Sequence, residues 1–539
     1  MKTTRTSPNR NMLVMFALLW LQGSICAQTL SSGTWEGPFM NDFRTVLLLS
    51  PGENGMAGSI RMYAGDQMIQ DDPLTRIREE GNGLTFFIEA KDTRFEGTVE
   101  GNEMTGNFVF SDGSVHPLVV RRSPAGKEDL PSEVRTNEVD PNPVYPPGQL
   151  RADLDFFQEA LFENHPALFR ILDRADLDRA FERVRTGLTD SLDLLSFYAL
   201  LAPLGAGIGC SHTGLRLPQA QEEFLLEPVH LFPLAVRSEG NRLFSCSEVR
   251  TMEGPVPPGF EILSINHKPV ADLLETMGNM IPAEERNPVA IRYELNRNFA
   301  YWLALAGQAG PFAVDYRADG ATGSLNLRGE DRIGGAGGQG GPGHQSSEAI
   351  RTPGYAFHSE TGCARLRIPS FSIRNMEDYL SFLDSVFLYL STTSADTLIL
   401  DLRDNNGGHP IFAAQLLSYL TDHPFTWFER NPNVTEFEPL YHPMEPNPAH
   451  YTGPVLVDVN GGCLSATGHF LSLLEYHSNA RFRGEAPGST YVCNDFSIQT
   501  ALPHTGIRAN IPREQFVAAV PEAARKTPFP VEAPLSPGP

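Results

Sequence analysis

Between residues 30 and 125, apolar and polar positions alternate in short runs such as Thr45-Val46-Leu47-Leu48-Leu49, Leu84-Thr85-Phe86-Phe87-Ile88 and Leu118-Val119-Val120. Gly, Asn and Asp separate the runs, and Gly97, Gly101 and Gly106 punctuate RFEGTVEGNEMTGNFVF. A two-residue period broken by turn formers predicts the hairpins of a small all-β, barrel-like domain, with nothing catalytic in it and the character of an accessory module. Residues 126–150 are a Pro-rich linker. The period then becomes helical over 151–225, with Asp153 read as an N-cap before Leu154, Phe157 and Leu161, followed by Leu177, Phe181, Val184 and Leu188. Residues 226–328 mix strands and helices; Pro258 to Val270 reads as strand, turn at Asn266-His267, short strand. A Gly-rich linker or loop spans 329–350, and a Pro-rich, disordered tail spans 521–539. Residues 351–520 are α/β. The buried strands Leu398–Leu402 and Val455–Val457 each run into a Gly-rich turn and then a helical pattern. Two such units set Gly407-Gly408 and Ser465 at the same end of a parallel sheet.

With 539 residues the chain needs several cores, and 41% hydrophobic with 20% charged residues marks an ordinary globular composition. Lys plus Arg of 42 against Asp plus Glu of 65 leaves a net charge of −23, which argues against a nucleic-acid partner. Lys2, Arg5 and Arg10 precede the apolar run Met12–Leu21, which is too short to span a bilayer. Residues 1–27 are therefore read as a signal peptide cleaved after Ala27. That implies a periplasmic or extracellular protein without an integral membrane segment. Lipid anchoring through Cys26 is the lesser alternative, because Gly23-Ser24-Ile25 matches a lipobox poorly. Outside that leader stand Cys210, Cys246, Cys363, Cys463 and Cys493, an odd number that leaves at least one thiol outside any intrachain pair.

Chemistry concentrates in two stretches. Ser465 follows the strand Val455–Val457 and the pair Gly461-Gly462, and it precedes a helix carrying Phe470, Leu473 and Leu474. A hydroxyl on such a bend lies close to unsatisfied N–H groups of a first helical turn, which can bind an oxyanion. The plainer role for a serine there is an N-cap. The second stretch, Gly207 to Gly214, presents Ser211 and His212 from a glycine-flanked loop. Cys463 is a weaker candidate nucleophile. His165, His212, His469 and His477 form no metal motif, and Gly334–Gly343 lacks the Lys-Ser/Thr ending of a phosphate loop, so neither metal nor cofactor is expected.

Three ordered motifs, LILDLRDNNGG (398–408), VLVDVNGGCLSATGHF (455–470) and ARFRGEAPGST (480–490), resemble the tail-specific, or C-terminal processing, serine peptidases. IGCSHTGL (208–215) resembles the histidine loop of the tricorn-like branch, and PGFEILSINHKPV (258–270) resembles the family's PDZ-type element. The resemblance covers most of residues 150–520. It implies a multidomain α/β protein with a ClpP/crotonase-like catalytic domain and a PDZ-like α+β element, acting as a peptidase on extended polypeptides. It further implies Ser465 as nucleophile, His212 as base supported by Ser211, and an oxyanion hole from Gly407-Gly408 and Ala466. Gly488-Ser489-Thr490 stands where one branch carries a lysine base, so a Ser-His site is expected rather than a Ser-Lys one. Gly468 stands where the family often has a glutamate. For the carboxylate that orients the histidine, Glu485 is the motif candidate, with Asp495 and Glu514 as further possibilities. A homologue that keeps the fold and binds a peptide or small ligand without catalysis is the alternative, and a hydrolase of non-peptide esters or amides is a third.

Overall fold

Alternation in the N-terminal stretch becomes nine antiparallel strands. They are β1 (Gly33–Phe39), β2 (Phe43–Gly52), β3 (Gly55–Ala64), β4 (Gln67–Pro73), β5 (Thr75–Glu80), β6 (Gly83–Ile88), β7 (Thr93–Glu100), β8 (Glu103–Val109) and β9 (Val115–Arg122). The computed structural model describes residues 32–122, 140–329 and 356–532, apart from short stretches at 40–42, 53–54, 65–66, 89–92, 111–114, 252–253, 361–362, 374 and 393–396. The expected leader and the centre of the Gly-rich linker lie outside these residues. The chain divides into two units, Met1–Asn137 and Glu138–Pro539. In the first, the strand order β4-β3-β2-β1-β9-β8-β7-β6-β5 makes the first and last strands neighbours, with Trp35 opposite Arg122. Its core holds Trp35, Leu47, Leu49, Phe86, Phe95 and Phe108, and the Phe86 and Phe95 rings stack at 4.6 Å.

In the second unit the first helix is α1 (Pro147–Asn164). It starts earlier than Asp153 suggested, because a proline at the first helical position needs no N–H partner. Asp153 is fully buried within the helix, where it accepts bonds from His504 N (2.9 Å), Thr505 N (2.8 Å) and Thr505 Oγ1 (2.6 Å). Those residues lead into the strand Arg508–Ile511, which pairs with Gly214–Arg216 just beyond His212. A sheet of Val236–Glu239, Arg242–Ser245, Glu261–Ile265, Phe312–Ala318 and Ala321–Leu327 follows, with Lys268–Pro269 added beside Glu261–Ile265. The turn at Asn266-His267 has positive φ at both residues (49° and 64°). From this region the helix α2 (Pro288–Leu305) runs to the loops that follow the strands Thr397–Asp401 and Arg481–Gly484 of the C-terminal sheet. There its N-cap Asn287 donates to Pro487 O, and Tyr293 donates to Asp404 Oδ1 at 3.0 Å.

The C-terminal sheet contains β10 (Ala356–Glu360), β11 (Cys363–Arg367), β12 (Thr397–Asp401), β13 (Val455–Val459) and β14 (Arg481–Gly484) in that spatial order. β10 is antiparallel to β11, and all later pairs are parallel. Helices α3 (Met376–Thr392), α4 (Pro410–Ser418) and α5 (Ala466–His477) connect the parallel strands. Residues 402–408 and 460–465 therefore both leave the C-terminal ends of adjacent strands. The stretch 521–532, read as the start of a disordered tail, instead packs on this unit. Phe529 is buried with its ring 4.9 Å from that of Phe482, and Glu532 pairs with Arg481. Among the described residues, no helix is long and apolar enough to cross a membrane.

Replacing Asp153 by alanine strands the buried donors of Thr505 and the half-buried N–H of His504. Asp153→Ala should lower unfolding free energy by about 3 kcal/mol in chemical denaturation; a loss under about 0.5 kcal/mol would contradict the anchoring role.

Candidate active site

The strand β13 ends at Val459, and the chain turns through Asn460–Leu464 into α5 with Ser465 at the boundary. Ser465 has φ 53° and ψ −127°, and its side chain makes no capping bond. The N-cap role is thus absent, and a strained backbone costing roughly 1–3 kcal/mol holds the hydroxyl out of the helix. Gly461 and Gly462 serve close packing rather than a left-handed turn: a Cβ on Gly462 would lie 2.4 Å from the Tyr293 ring, and one on Gly461 2.6 Å from Val289 O. The strain at Ser465 is met from the neighbouring crossing. Gly407 (φ 102°) has space for no side chain, since a Cβ there would sit 2.8 Å from Ser465 Cβ.

Asn405 fixes this approach. It is fully buried; its amide nitrogen donates to Ile368 O (2.9 Å), and its Oδ1 accepts from Gly407 N (3.0 Å) and Thr467 Oγ1 (2.7 Å). Its carbonyl also accepts from Leu464 N at 3.2 Å. One side chain thereby ties the strand ends at 368, the Gly407 crossing and the first turn of α5. It also takes the Gly407 N–H, so only Gly408 of the two expected glycine donors remains, alongside Ala466 at the start of α5.

The histidine loop is docked on residues 283–286. Glu285 N donates to Gly209 O at 2.8 Å, and Asn510 Nδ2 donates to His212 O at 2.5 Å. Ser211 Oγ lies 3.2 Å from His212 Nδ1 and 3.1 Å from Glu284 Oε2, which also accepts from Ser211 N at 3.2 Å. Glu284 is buried and pairs with Arg170. On its other edge, His212 Nε2 is 3.9 Å from Asp495 Oδ2. Ser465 and His212 converge on one sulfur: Cys493 Sγ is 3.7 Å from Ser465 Oγ and 3.6 Å from His212 Nδ1. Among the described residues, no direct hydrogen bond joins the imidazole to Ser465. Burial, and the Glu284 and Asp495 charges, push the Cys493 thiol well above its ordinary range, so it stays a neutral S–H.

A cavity of about 250 Å³ opens beside Ser465, walled by Phe428, Phe437, Phe516 and His469 and rimmed by Asp495. Burial brings the His469 imidazole down to about 3, and the charge of a protonated His212 adds to that.

The remaining expected residues fall elsewhere. Glu485 is half exposed and pairs with Arg292 at 3.0 Å on the surface, which removes it from the catalytic group. Glu514 accepts from Asn431 at 2.9 Å, away from His212. Cys463 is fully buried, donates to Leu402 O at 3.1 Å and is pushed up to about 12 by burial, so it is no nucleophile. Gly468 cannot hold a glutamate, because a Cβ there would lie 2.4 Å from Ser489 Oγ. Glu284 and Cys493 were not singled out from the sequence as site residues; neither lies in a motif whose spacing points at Ser465.

Residues 362–503, which contain Ser465, match the model for peptidase family S41. This segment is a serine-type peptidase domain of family S41. His212 and Glu284 lie outside the matched S41 segment. No curated protein matches the chain. Among solved structures, mature CPAF complexed with lactacystin is 17% identical, covering 69% of this chain and 90% of its own, with a TM-score of 0.47. The photosystem II D1 C-terminal processing protease is 12% identical over 68% of this chain and 88% of its own, with a TM-score of 0.35. Tricorn protease is 12% identical over 89% of this chain and 42% of its own, with a TM-score of 0.25.

Asn405→Ala should destabilise the S41 domain by about 2–4 kcal/mol, since it strands buried donors and acceptors on three segments; denaturant unfolding reads this, and a change below about 1 kcal/mol would contradict the linking role. Stability should also fall under mild acid. His469 titrates at about 3 and His165 at about 4 in the folded state, against the ordinary 6.5. Between those values the unfolded chain binds more protons, so stability drops as pH falls from 6.5 toward 4. Each histidine adds up to about 1.4 kcal/mol per pH unit to that slope. His469→Phe should flatten the slope relative to the unsubstituted protein in denaturant titrations across this window; equal slopes would refute its part.

Proposed function

We propose that the chain is an exported serine endopeptidase of the tail-specific type, cleaving extended or unfolded polypeptides through an acyl-enzyme at Ser465. The observation that carries this is the convergence of an uncapped, strained Ser465 and a tethered His212 on the same Cys493 sulfur. Glu284 Oε2 accepts the Ser211 O–H. Ser211 Oγ is then left to accept from His212 Nδ1–H, which leaves the lone pair of a general base on Nε2, the nitrogen on the Asp495 edge of the ring; catalysis requires that edge to turn toward Ser465 as substrate binds. The 3.9 Å contact with Asp495 supports the imidazolium once formed. His212 takes the proton of Ser465 as the hydroxyl attacks the scissile carbonyl, with the gap between them closing when substrate binds. The N–H groups of Ala466 and Gly408 stabilise the oxyanion, the imidazolium protonates the leaving amine, and water releases the acyl group. A Ser-His site is favoured over Ser-Lys because Ser489, not a lysine, packs against Gly468. The parallel β11–β14 with its crossover helices supports a ClpP/crotonase-like catalytic domain, and the sheet around Glu261–Ile265 a PDZ-like element. Export rests on residues 1–27.

A binding protein without catalysis is favoured by one observation, the absence of a direct hydrogen bond between His212 and Ser465. Hydrolysis of an unfolded polypeptide such as reduced, alkylated casein separates the two. The intact protein should degrade it, Ser465→Ala should not, and His212→Ala should fall by on the order of 10⁴-fold. Glu284→Gln should lower kcat by on the order of 10²-fold with little change in KM, since it acts by orienting the base. Hydrolysis that survives Ser465→Ala, or none from folded protein, would overturn the peptidase reading.

A further inference from the structure

Whichever polypeptide enters, the residue that bears the scissile carbonyl must place its side chain next to the oxyanion donors, and a cavity lined by Ser465, Ala466 and Gly408 opens there. Its walls are aromatic. The Phe428 and Phe516 rings lie 5.1 Å apart, Phe437 and Phe516 5.5 Å, and Phe428 and Phe437 6.0 Å, so the three hold one another in place. His469 stands perpendicular to Phe428 at 5.1 Å. It is neutral at working pH because burial holds it at about 3, so it adds no charge to the wall. The one carboxylate present, Asp495, is half exposed at the rim on the His212 side.

Resting on the peptidase reading, we infer that this cavity is the specificity pocket of the enzyme and selects an aromatic side chain, phenylalanine or tyrosine, on the acyl side of the scissile bond. The size agrees: about 150 Å³ of apolar cavity holds benzene, and about 250 Å³ here leaves space for the ring and the carbon joining it to the backbone. Ring edges and faces at these separations match offset and edge-to-face packing of a fourth ring. A lysine or glutamate side chain would surrender its hydration among three phenylalanines, with no charged group of the lining beside them at that end. Alanine would fill little of the space and forgo the burial.

The test uses the full-length protein and a matched set of internally quenched peptides that differ only in the residue bearing the scissile carbonyl: Phe, Tyr, Leu, Ala, Lys or Glu. Values of kcat/KM for Phe and Tyr should exceed those for Ala, Lys and Glu by on the order of 10²-fold. Phe437→Ala, checked for folding by its melting transition, should enlarge the pocket and shift preference from Phe toward a naphthyl side chain. Ser465-dependent hydrolysis with Lys or Glu preferred, or with no discrimination, would overturn the pocket assignment and leave the peptidase reading standing. Failure to cleave any member, together with no hydrolysis of unfolded polypeptide, would overturn both.

Discussion

The approach of two glycine-rich crossings, held by the buried amide of Asn405, is the constraint on which the site depends. Each crossing leaves the C-terminal end of a parallel strand, and neither could hold Ser465 in its conformation alone. Ser465 adopts a backbone conformation that its own helix does not reward. It persists because Thr467, Leu464 and Gly407 are all bonded to Asn405 and because Gly407 has no side chain to keep the crossings apart. Strain of this size survives only where the surroundings overdetermine it. The same amide engages the Gly407 N–H, so of the two adjacent glycines it is Gly408 whose N–H is not bonded to Asn405.

Below the crossings, charge steadies the strand ends. Asp401 and Asp458 are buried register partners on β12 and β13, an arrangement that would repel without compensation. Arg403 grips Asp401 with two bonds of 2.8 and 2.7 Å, while Arg365 (2.9 Å) and Arg483 (2.5 Å) hold Asp458. Burial raises the Asp401 carboxyl, and the Arg403 bonds and charge more than offset that, keeping it ionised. The Asp-Leu-Arg of the 398–408 motif thus builds the base of the loop that carries Asn405 and Gly408. A second charged pair, Arg170 and Glu284, serves the histidine side in the same manner, through Ser211.

Much of this was legible in the sequence where the signal is local. The apolar runs at Leu398–Leu402 and Val455–Val457, each followed by glycine turn and helix, predicted two crossings at one end of a parallel sheet, and the structure has them there. The nine-stranded sheet was legible from its two-residue period in the same way. Asp153 misled because polar residues and a proline open α1, so helical periodicity showed only from Leu154 onward. Glu485 misled for a different reason: it sits in the expected motif, yet Arg292 on a helix from another segment draws it to the surface. Glu284 was illegible because its partner Ser211 lies 73 residues away, across a loop with no periodic signal. Packing of Phe529 against Phe482 was hidden by proline-rich composition. Contacts between distant segments carry no local pattern, and the Ser211–Glu284 bond and the shared Cys493 sulfur are both of that type.

The most direct measurement is labelling of the folded protein with a fluorophosphonate, followed by peptide mapping of the adduct. Covalent modification confined to Ser465, slowed at least 10²-fold by His212→Ala, is the expected result. A folded protein that takes up no label, or takes it up elsewhere, would contradict the claim that Ser465 is an activated nucleophile.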